Sequence, residues 1–418
     1  MMEISKPYYL DLSFIIRCFF DFGYFLGVYP YRYATQENKT NVVPQTSTFR
    51  KIYCSIIHIS AMYRGVWRVA EYDFDILIKE PQKIFSFCQK ITTIMYALSF
   101  IFALWRRESF SNFLNVLRSD DIRKQGTHST PAALKYWVEA LSITMCSLYI
   151  FWPTIWLLGG EGRVDFYAVK FKPLYEMYLL DARRVFFLKD VITFSPNSTK
   201  VEHMGPFDHT VTVFYLAMEF WYFFLTFYTE LLQLFMSFTL SRVTANFVSD
   251  LRRNKGMDKD TVEGILRHYA ALKRLGNHAN AAVGRVTLFQ MIDSLLYLPL
   301  GISNSLTGIN WFTRLNYIFF ICSFFLFTMH AASSPLKIQA MRNWLQKVVN
   351  STGDKYISQS NVALYLDELS NHPVGFRGEG MFTITFGLVG SMASIMITHS
   401  FILLQFGTVG LNGKQATT

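Results

Sequence analysis

Residues Met381–Gly413 read MFTITFGLVGSMASIMITHSFILLQFGTVGLNG, without one Asp, Glu, Lys or Arg. A helix needs about 20 mostly apolar residues to cross a bilayer core, and this stretch supplies them with room to spare. A run this long with no charge has no polar face to turn towards water, which predicts a transmembrane helix. Its interior is not uniform. Gly387, Gly390 and Ser391 are small enough for close helix contact. Thr398, Ile402 and Gln405 fall on one face by the 3.6-residue period. Hydroxyl and amide groups between apolar rings suit the wall of a narrow conduit that dewets when shut, although ordinary bundle packing gives the same spacing.

The rest of the chain agrees with a membrane setting. Of 418 residues, 51% are apolar, 17% aromatic and only 17% charged, with 40 Phe against 30 acidic residues. Soluble domains carry about 25% charged residues, so one or two soluble globular domains are excluded. The net charge of +10 is not gathered into a basic polar run, so no nucleic-acid groove is indicated. Cys18, Cys54, Cys88, Cys146 and Cys322 are scattered singly in apolar stretches, forming neither a disulfide framework nor a metal site. Asp11, Arg17 and Asp21 interrupt the first apolar run, so it does not read as a secretory signal.

Six further spans are expected: Ile52–Arg68, Lys83–Trp105, Ala133–Leu158, Asp208–Leu240, Val286–Leu306 and Trp311–Ala332. Asp208–Leu240 is long enough to continue beyond the bilayer. In Ile52–Arg68, Arg64 and Arg68 are costly unless they snorkel outwards. With the N-terminus inside, 24 of the 40 Lys and Arg fall in inner segments, nine in outer ones and seven within spans. The positive-inside bias therefore predicts an all-α membrane protein of seven transmembrane helices, N-terminus cytoplasmic and C-terminus extracellular. Sequons at Asn197, Asn38 and Asn350 divide between the two sides, and the charge count outweighs them.

This reading divides the chain into a cytoplasmic segment 1–50, helices one to six over 51–332, cytoplasmic anchor helices over 333–380, helix seven over 381–407 and a tail 408–418. The segment Tyr8–Tyr33 fits an interfacial helix better than an eighth span, with a stripe at Leu10, Phe14, Cys18, Phe22 and Leu26. Cytoplasmic extensions are expected to be helical. Asp260 with Glu263 resembles a capping box, and Val262, Ile265, Leu266, Tyr269, Leu272 and Leu275 follow at helical spacing. Ser334-Pro335 is expected to open a helix with the stripe Ile338, Met341, Leu345 and Val348, stopped at Gly353. A last stripe runs through Val362, Tyr365, Leu366 and Leu369 to Asn371-His-Pro373.

The outer half of the bundle holds candidate ligand contacts: Tyr149, Trp152, Trp156, Glu219, Tyr222, Tyr297, Asn304 and Asn316. Aromatic walls with a few convergent polar groups are what a small-molecule pocket requires, though most such rings only face lipid or fill a core. Glu219 stands out, because an intramembrane carboxylate needs a cavity or a partner. Asp293 meets the same test nearer the inner half. His203 and Asp208 match an acyltransferase spacing, a short pattern expected by chance, and no paired catalytic constellation accompanies it. No enzyme activity, cofactor or metal is indicated.

The segment Thr398-His399-Ser-Phe-Ile-Leu-Leu-Gln405-Phe406 resembles the C-terminal signature of insect gustatory receptors, Thr-Tyr followed by five mostly apolar residues and Gln-Phe. His399 stands where that signature has Tyr. Arg267-His-Tyr-Ala-Ala-Leu272 and the run from Asn371-His-Pro373 to Phe382-Thr-Ile-Thr are similar to stretches of the sugar-type members. The resemblance implies a plasma-membrane, multi-pass receptor for a small-molecule tastant. It would be a ligand-gated, non-selective cation channel, tetrameric as a homotetramer or with related receptors. Each subunit would give its last helix to a central pore, with Thr398 at the signature Thr and the gate at Gln405 and Phe406. The rival readings are a bitter-type member of the same channel family, against the sugar-like tastant favoured here, and a seven-span receptor signalling through G proteins. The reversed charge bias and the absence of Asp/Glu-Arg-Tyr and Asn-Pro-x-x-Tyr motifs speak against the latter.

Overall fold

The computed structural model describes residues 12–35, 42–70, 81–119, 171–187, 206–253, 258–306, 311–352 and 359–415, with isolated positions in 122–157. The described residues form ten helices and two small hairpins. In chain order they are α1 (Leu12–Leu26), β1 (Arg32–Thr35), β2 (Val42–Gln45), α2 (Thr48–Ala70), α3 (Pro81–Trp105), α4 (Arg107–Leu117), α5 (Phe171–Phe187), α6 (Pro206–Arg253), α7 (Lys259–Leu306), α8 (Trp311–Thr352), α9 (Gln359–Asn371), β3 (Arg377–Gly378), β4 (Phe382–Thr383) and α10 (Phe386–Gln415). Five of the expected spans lie in helices long and apolar enough to cross a membrane: α3, α6, α7, α8 and α10. The expected span Ile52–Arg68 lies within α2, and Ala133–Leu158 falls almost wholly outside the described residues.

Of the segment Tyr8–Tyr33, α1 is described from Leu12 to Leu26. It ends at Gly27, whose φ of 87° suits glycine. Val28 N donates to Gly23 O and Gly27 N to Tyr24 O, the paired bonds of a Schellman cap. Of the expected stripe, Phe22 and Leu26 pack against the core and Cys18 is exposed, while Leu10 and the side chain of Phe14 lie outside the described set. Phe19 and Phe20 are buried more deeply, and Phe19 stacks on Tyr228 of α6 at 4.2 Å. Packing against α6 thus sets the rotation of the helix. In the hairpin that follows, Arg32 pairs with Gln45 and Thr35 with Val42. Asn115 of α4 accepts from Val42 N at 2.6 Å and donates to Val42 O at 3.3 Å, completing the strand edge.

Two start signals differ from expectation. The cap of α7 is Asp258, not Asp260: Asp258 Oδ2 accepts from Thr261 N at 3.2 Å and Oδ1 from Thr261 Oγ1 at 2.7 Å. Thr261 is the third residue of the helix, where a capping side chain reaches. Pro335 does not open a helix but lies inside α8, which runs unbroken from Trp311 to Thr352. A proline inside a helix costs about 3 kcal/mol. The cost is met by burial on both sides of it, with Phe327, Ala331, Ile338, Met341, Leu345 and Val348 all 2% exposed or less. The stripe expected after Pro335 is therefore real, and its expected stop at Gly353 lies outside the described residues. Val362 and Leu369 of α9 are buried as the last stripe requires.

Candidate functional site

Three features could carry function: the last helix, two polar clusters within the bundle, and the strap that joins the last helix to α7.

Helix α10 opens at Thr385, whose hydroxyl accepts from Leu388 N at 3.3 Å. It is the most apolar of the five long helices and yet the least buried. Only 28% of its apolar stretch is covered, against 33% to 50% in the others. Met392, Met396, Ser400 and Leu403 turn inward. The opposite face is open and carries Gly387, Gly390, Ser391, Ser394, Ile395, Thr398, Phe401, Ile402 and Gln405. The three expected conduit residues with described side chains, Thr398, Ile402 and Gln405, thus share one exposed face. Thr398 Oγ1 donates to Ser394 O at 3.0 Å, so its hydroxyl is held along the helix wall. Phe406 continues the helix, and its side chain lies outside the described set. The His399 ring meets Phe85 of α3 edge-on at 6.0 Å.

The first polar cluster is ionic. Glu219 of α6 is fully buried and bonded by Arg64 Nε; Arg68 Nη2 reaches its other oxygen at 2.8 Å. Arg64 and Arg68 stand one turn apart on α2 and so share a face. Arg64 also lies over the Tyr215 ring at 5.2 Å, and Arg68 over Tyr222 and Phe223 at 5.3 and 4.7 Å. Arg64 therefore does not avoid its burial cost by snorkelling: it is 4% exposed because a carboxylate inside the bundle receives it. Tyr222 lies against Gly65, where any side chain would collide with its ring.

The second cluster is neutral. Asn316 of α8 is 4% exposed; its Oδ1 accepts from Trp152 Nε1 at 2.6 Å and its Nδ2 donates to Tyr297 Oη of α7 at 3.0 Å. Trp152 stacks on Phe319 at 4.7 Å and 11°, and Tyr297 packs against Tyr317 and Phe320. The structure thus brings three expected ligand residues together around one amide, and two more, Glu219 and Tyr222, in the ionic cluster. Tyr149 and Trp156 lie outside the described residues, as does the side chain of Asn304.

Other polar contacts act between helices. Asp293 of α7 accepts from Thr92 and Thr93 of α3 at 2.9 and 2.8 Å, bridging the two helices. His58 Nε2 donates to Val28 O at 2.9 Å while Nδ1 accepts from Trp105 Nε1 at 3.1 Å, which fixes a neutral tautomer. Asp208, half of the acyltransferase-like pattern, is held by Arg183 at 2.8 Å, and His203 is outside the described residues.

The strap is the hairpin β3–β4, immediately before α10. Asn280 of α7 donates from Nδ2 to Gly375 O and accepts from Arg377 N, both at 2.9 Å. Glu379 N donates to Gly284 O at 3.2 Å, and a Cβ at Gly284 would sit 3.2 Å from Arg377 O, so glycine permits this approach. Arg285 closes the contact on Glu379 at 2.7 Å, and its hydrogen bonds hold that carboxyl below the ordinary glutamate range. Sequence reading missed the Arg64–Glu219 pair, the two threonines and Asn280. One signal was available for the first: a buried acid in an apolar stretch demands a cation, and two arginines at helical spacing stood in another span.

Comparison with curated proteins gives no match. In fold, the chain is similar to the insect olfactory receptor OR5 from Machilis hrabei in complex with eugenol, with a TM-score of 0.54 at 14% identity, covering 94% of this chain and 96% of that one. A second structure of OR5 from Machilis hrabei gives a TM-score of 0.52 at 15% identity with the same coverage. The model of the family described as 7tm Chemosensory receptor matches residues 16–409. That match spans almost the whole sequence, and the chain accordingly belongs to the 7tm chemosensory receptor family.

Proposed function

We propose that this multi-span membrane protein is a gustatory receptor acting as a ligand-gated, non-selective cation channel of the plasma membrane. In this reading it has seven spans, with the N-terminus cytoplasmic and the C-terminus outside. Four copies, alike or with related receptors, surround a pore walled by α10. The observation that carries the reading is the mismatch in α10: the most apolar helix leaves open a face that alternates small, hydroxyl, amide and apolar side chains. Lipid has no use for Ser391, Ser394, Thr398 and Gln405 on one stripe, whereas partially hydrated ions do. Gln405 and Phe406 form the gate.

The agonist is a small, sugar-like polar molecule received around Trp152, Tyr297 and Asn316, where an amide faces stacked rings. The eugenol complex of the insect olfactory receptor supports a small-molecule site within this fold. Glu219 serves the ligand less directly than its sequence position suggested, because both its oxygens are engaged by arginine. The strap at Asn280 and Gly284 passes movement of α7 to α10.

Whole-cell recording from cells expressing the chain, with G-protein signalling blocked, tests the channel. Agonist-evoked current should survive the block; its loss returns the receptor to the G-protein class. Single cysteines at Thr398, Ile402 and Gln405 should react with a water-soluble thiol reagent, faster with agonist. Failure of all three to react, at rest and stimulated, removes the pore from α10.

A further inference from the structure

Where α6 and α8 leave their expected spans, at Leu240 and Ala332, an unusual cluster of cations and hydroxyls joins them. Lys337 of α8 points its ammonium at α6. Its Nζ donates to Ser241 Oγ at 3.0 Å, to Ser241 O at 3.3 Å and to Ser333 Oγ at 3.4 Å, and the two hydroxyl oxygens are 2.6 Å apart. All of these partners are neutral. Arg242, the next residue of α6, is within electrostatic range of Lys337, and Lys337 of His330. Neither helix offers a nearby acid: α6 has no Asp or Glu from Leu231 to Ser249, and α8 none from Leu315 to Thr352. The carboxylate of α9 that faces inward, Glu368, is bonded to Lys273 of α7. Two cations, Lys337 and Arg242, thus stand beside a pair of hydroxyls, and both are partly exposed.

An apolar track leads to this point. Ile318, Phe325, Met329 and Leu336 of α8 are 50%, 40%, 51% and 55% exposed, and spacings of four and seven put them on one face. Leu336 adjoins Lys337. The pattern of apolar stripe, then basic and hydroxyl cluster at the boundary of a span, matches one occupant in both halves. Hydrocarbon fits the stripe, and a phosphate ester fits the cluster, with hydroxyl and ammonium donors on its oxygens.

We propose that Lys337, Arg242, Ser241 and Ser333 bind the phosphate headgroup of an anionic phospholipid, whose acyl chain lies along Phe325, Met329 and Leu336. Assignment to the inner leaflet rests on the topology proposed above; the binding itself does not require that the chain conduct ions. A plain interhelical bolt would use the same lysine, but it would be indifferent to lipid charge.

The experiment uses the full-length protein in phosphatidylcholine vesicles doped with a photoactivatable phosphatidylserine, or with the matching phosphatidylcholine probe. Crosslinks should map to 325–342 and 238–245 with the anionic probe and fall several-fold with the zwitterionic one. A membrane-proximal cation contributes about 1 kcal/mol towards an anionic surface, which is roughly fivefold in occupancy. Lys337→Gln and Arg242→Gln should each lower labelling by about that factor and the pair by about 25-fold, while Lys337→Arg retains it. Equal labelling of wild type by both probes overturns the proposal without any variant having to fold. So does undiminished labelling of the double variant. Glycerol phosphate competing as well as the lipid would show a site for soluble phosphate esters instead. None of these readouts depends on current, so they stand apart from the test of the channel.

Discussion

The ionic cluster at Glu219 and the neutral one at Asn316 are built in opposite ways. Around Glu219, three charges fix one another: a carboxylate has both oxygens taken by arginines of another helix. Around Asn316, a neutral amide is shared between an indole and a phenol, each also stacked on rings. Removing one partner from a buried ion pair costs about 3–5 kcal/mol, because the remaining charge has no solvent. An exchanged neutral hydrogen bond costs about 1 kcal/mol. The first site is therefore suited to holding α2 on α6, and the second, in the proposed function, to trading partners with the agonist.

The sharpest way to break this contrast is at Glu219. Glu219→Ala should remove most surface protein, with a melting loss in detergent equivalent to about 3–5 kcal/mol, since two arginines lose their counter-charge. Glu219→Met with Arg64→Met should recover part of it. Normal surface level with reduced agonist potency in Glu219→Gln would instead make the carboxylate a ligand contact. Next in size is Asn316→Leu. Two hydrogen bonds at about 1 kcal/mol each predict a midpoint shift of roughly 10- to 30-fold, with surface level nearly kept. A collapse of expression like that at Glu219 would make Asn316 mere packing.

Gly301→Ala sharpens the second site from the side. A methyl group there strikes the Tyr317 ring, which packs on Tyr297 at 5.4 Å, so the ring must move. Overpacking of this kind costs about 1–3 kcal/mol, and the dose-response midpoint should shift less than for Asn316→Leu. The smallest effect is expected at the strap. Arg285 and Glu379 are 50% and 41% exposed, so solvent screens the pair to about 0–1 kcal/mol. Arg285 lowers the folded-state pKa of Glu379, so the pair's stabilisation is full above the ordinary glutamate pKa. It is lost as pH falls through the lowered value. Acid on that face should alter current decay in wild type and leave Glu379→Gln unchanged.

What could be read from the sequence was whatever depends on short-range periodicity. The uncharged run into Gly413, the stripe Ile338–Met341–Leu345–Val348 and the span α3 all repeat within one helix, so one-dimensional spacing suffices. What could not be read depends on partners far apart in the chain. Arg64 and Glu219 are 155 residues apart, and Trp152 and Asn316 are 164 apart. Composition flags each as costly without saying what meets it. Pro335 failed as a helix start for a related reason: the local rule is correct, and the burial that overrides it comes from α6 and α9. The cap of α7 moved two residues because an aspartate stands at each of 258 and 260, and only geometry chooses between them.

Length itself has a mechanical consequence. Helices α6 and α7 have 48 residues each, so each is about 72 Å long, more than twice a ~30 Å hydrocarbon core. A rod of that length is a lever. Pivoting by about 3° at one end, it sweeps the other through roughly 4 Å and its midpoint through roughly 2 Å. Asn280 and Gly284 stand close to the midpoint of α7, so the hairpin is hitched where a rocking motion is halved, gearing a large swing down to a fine adjustment of the helix beside it.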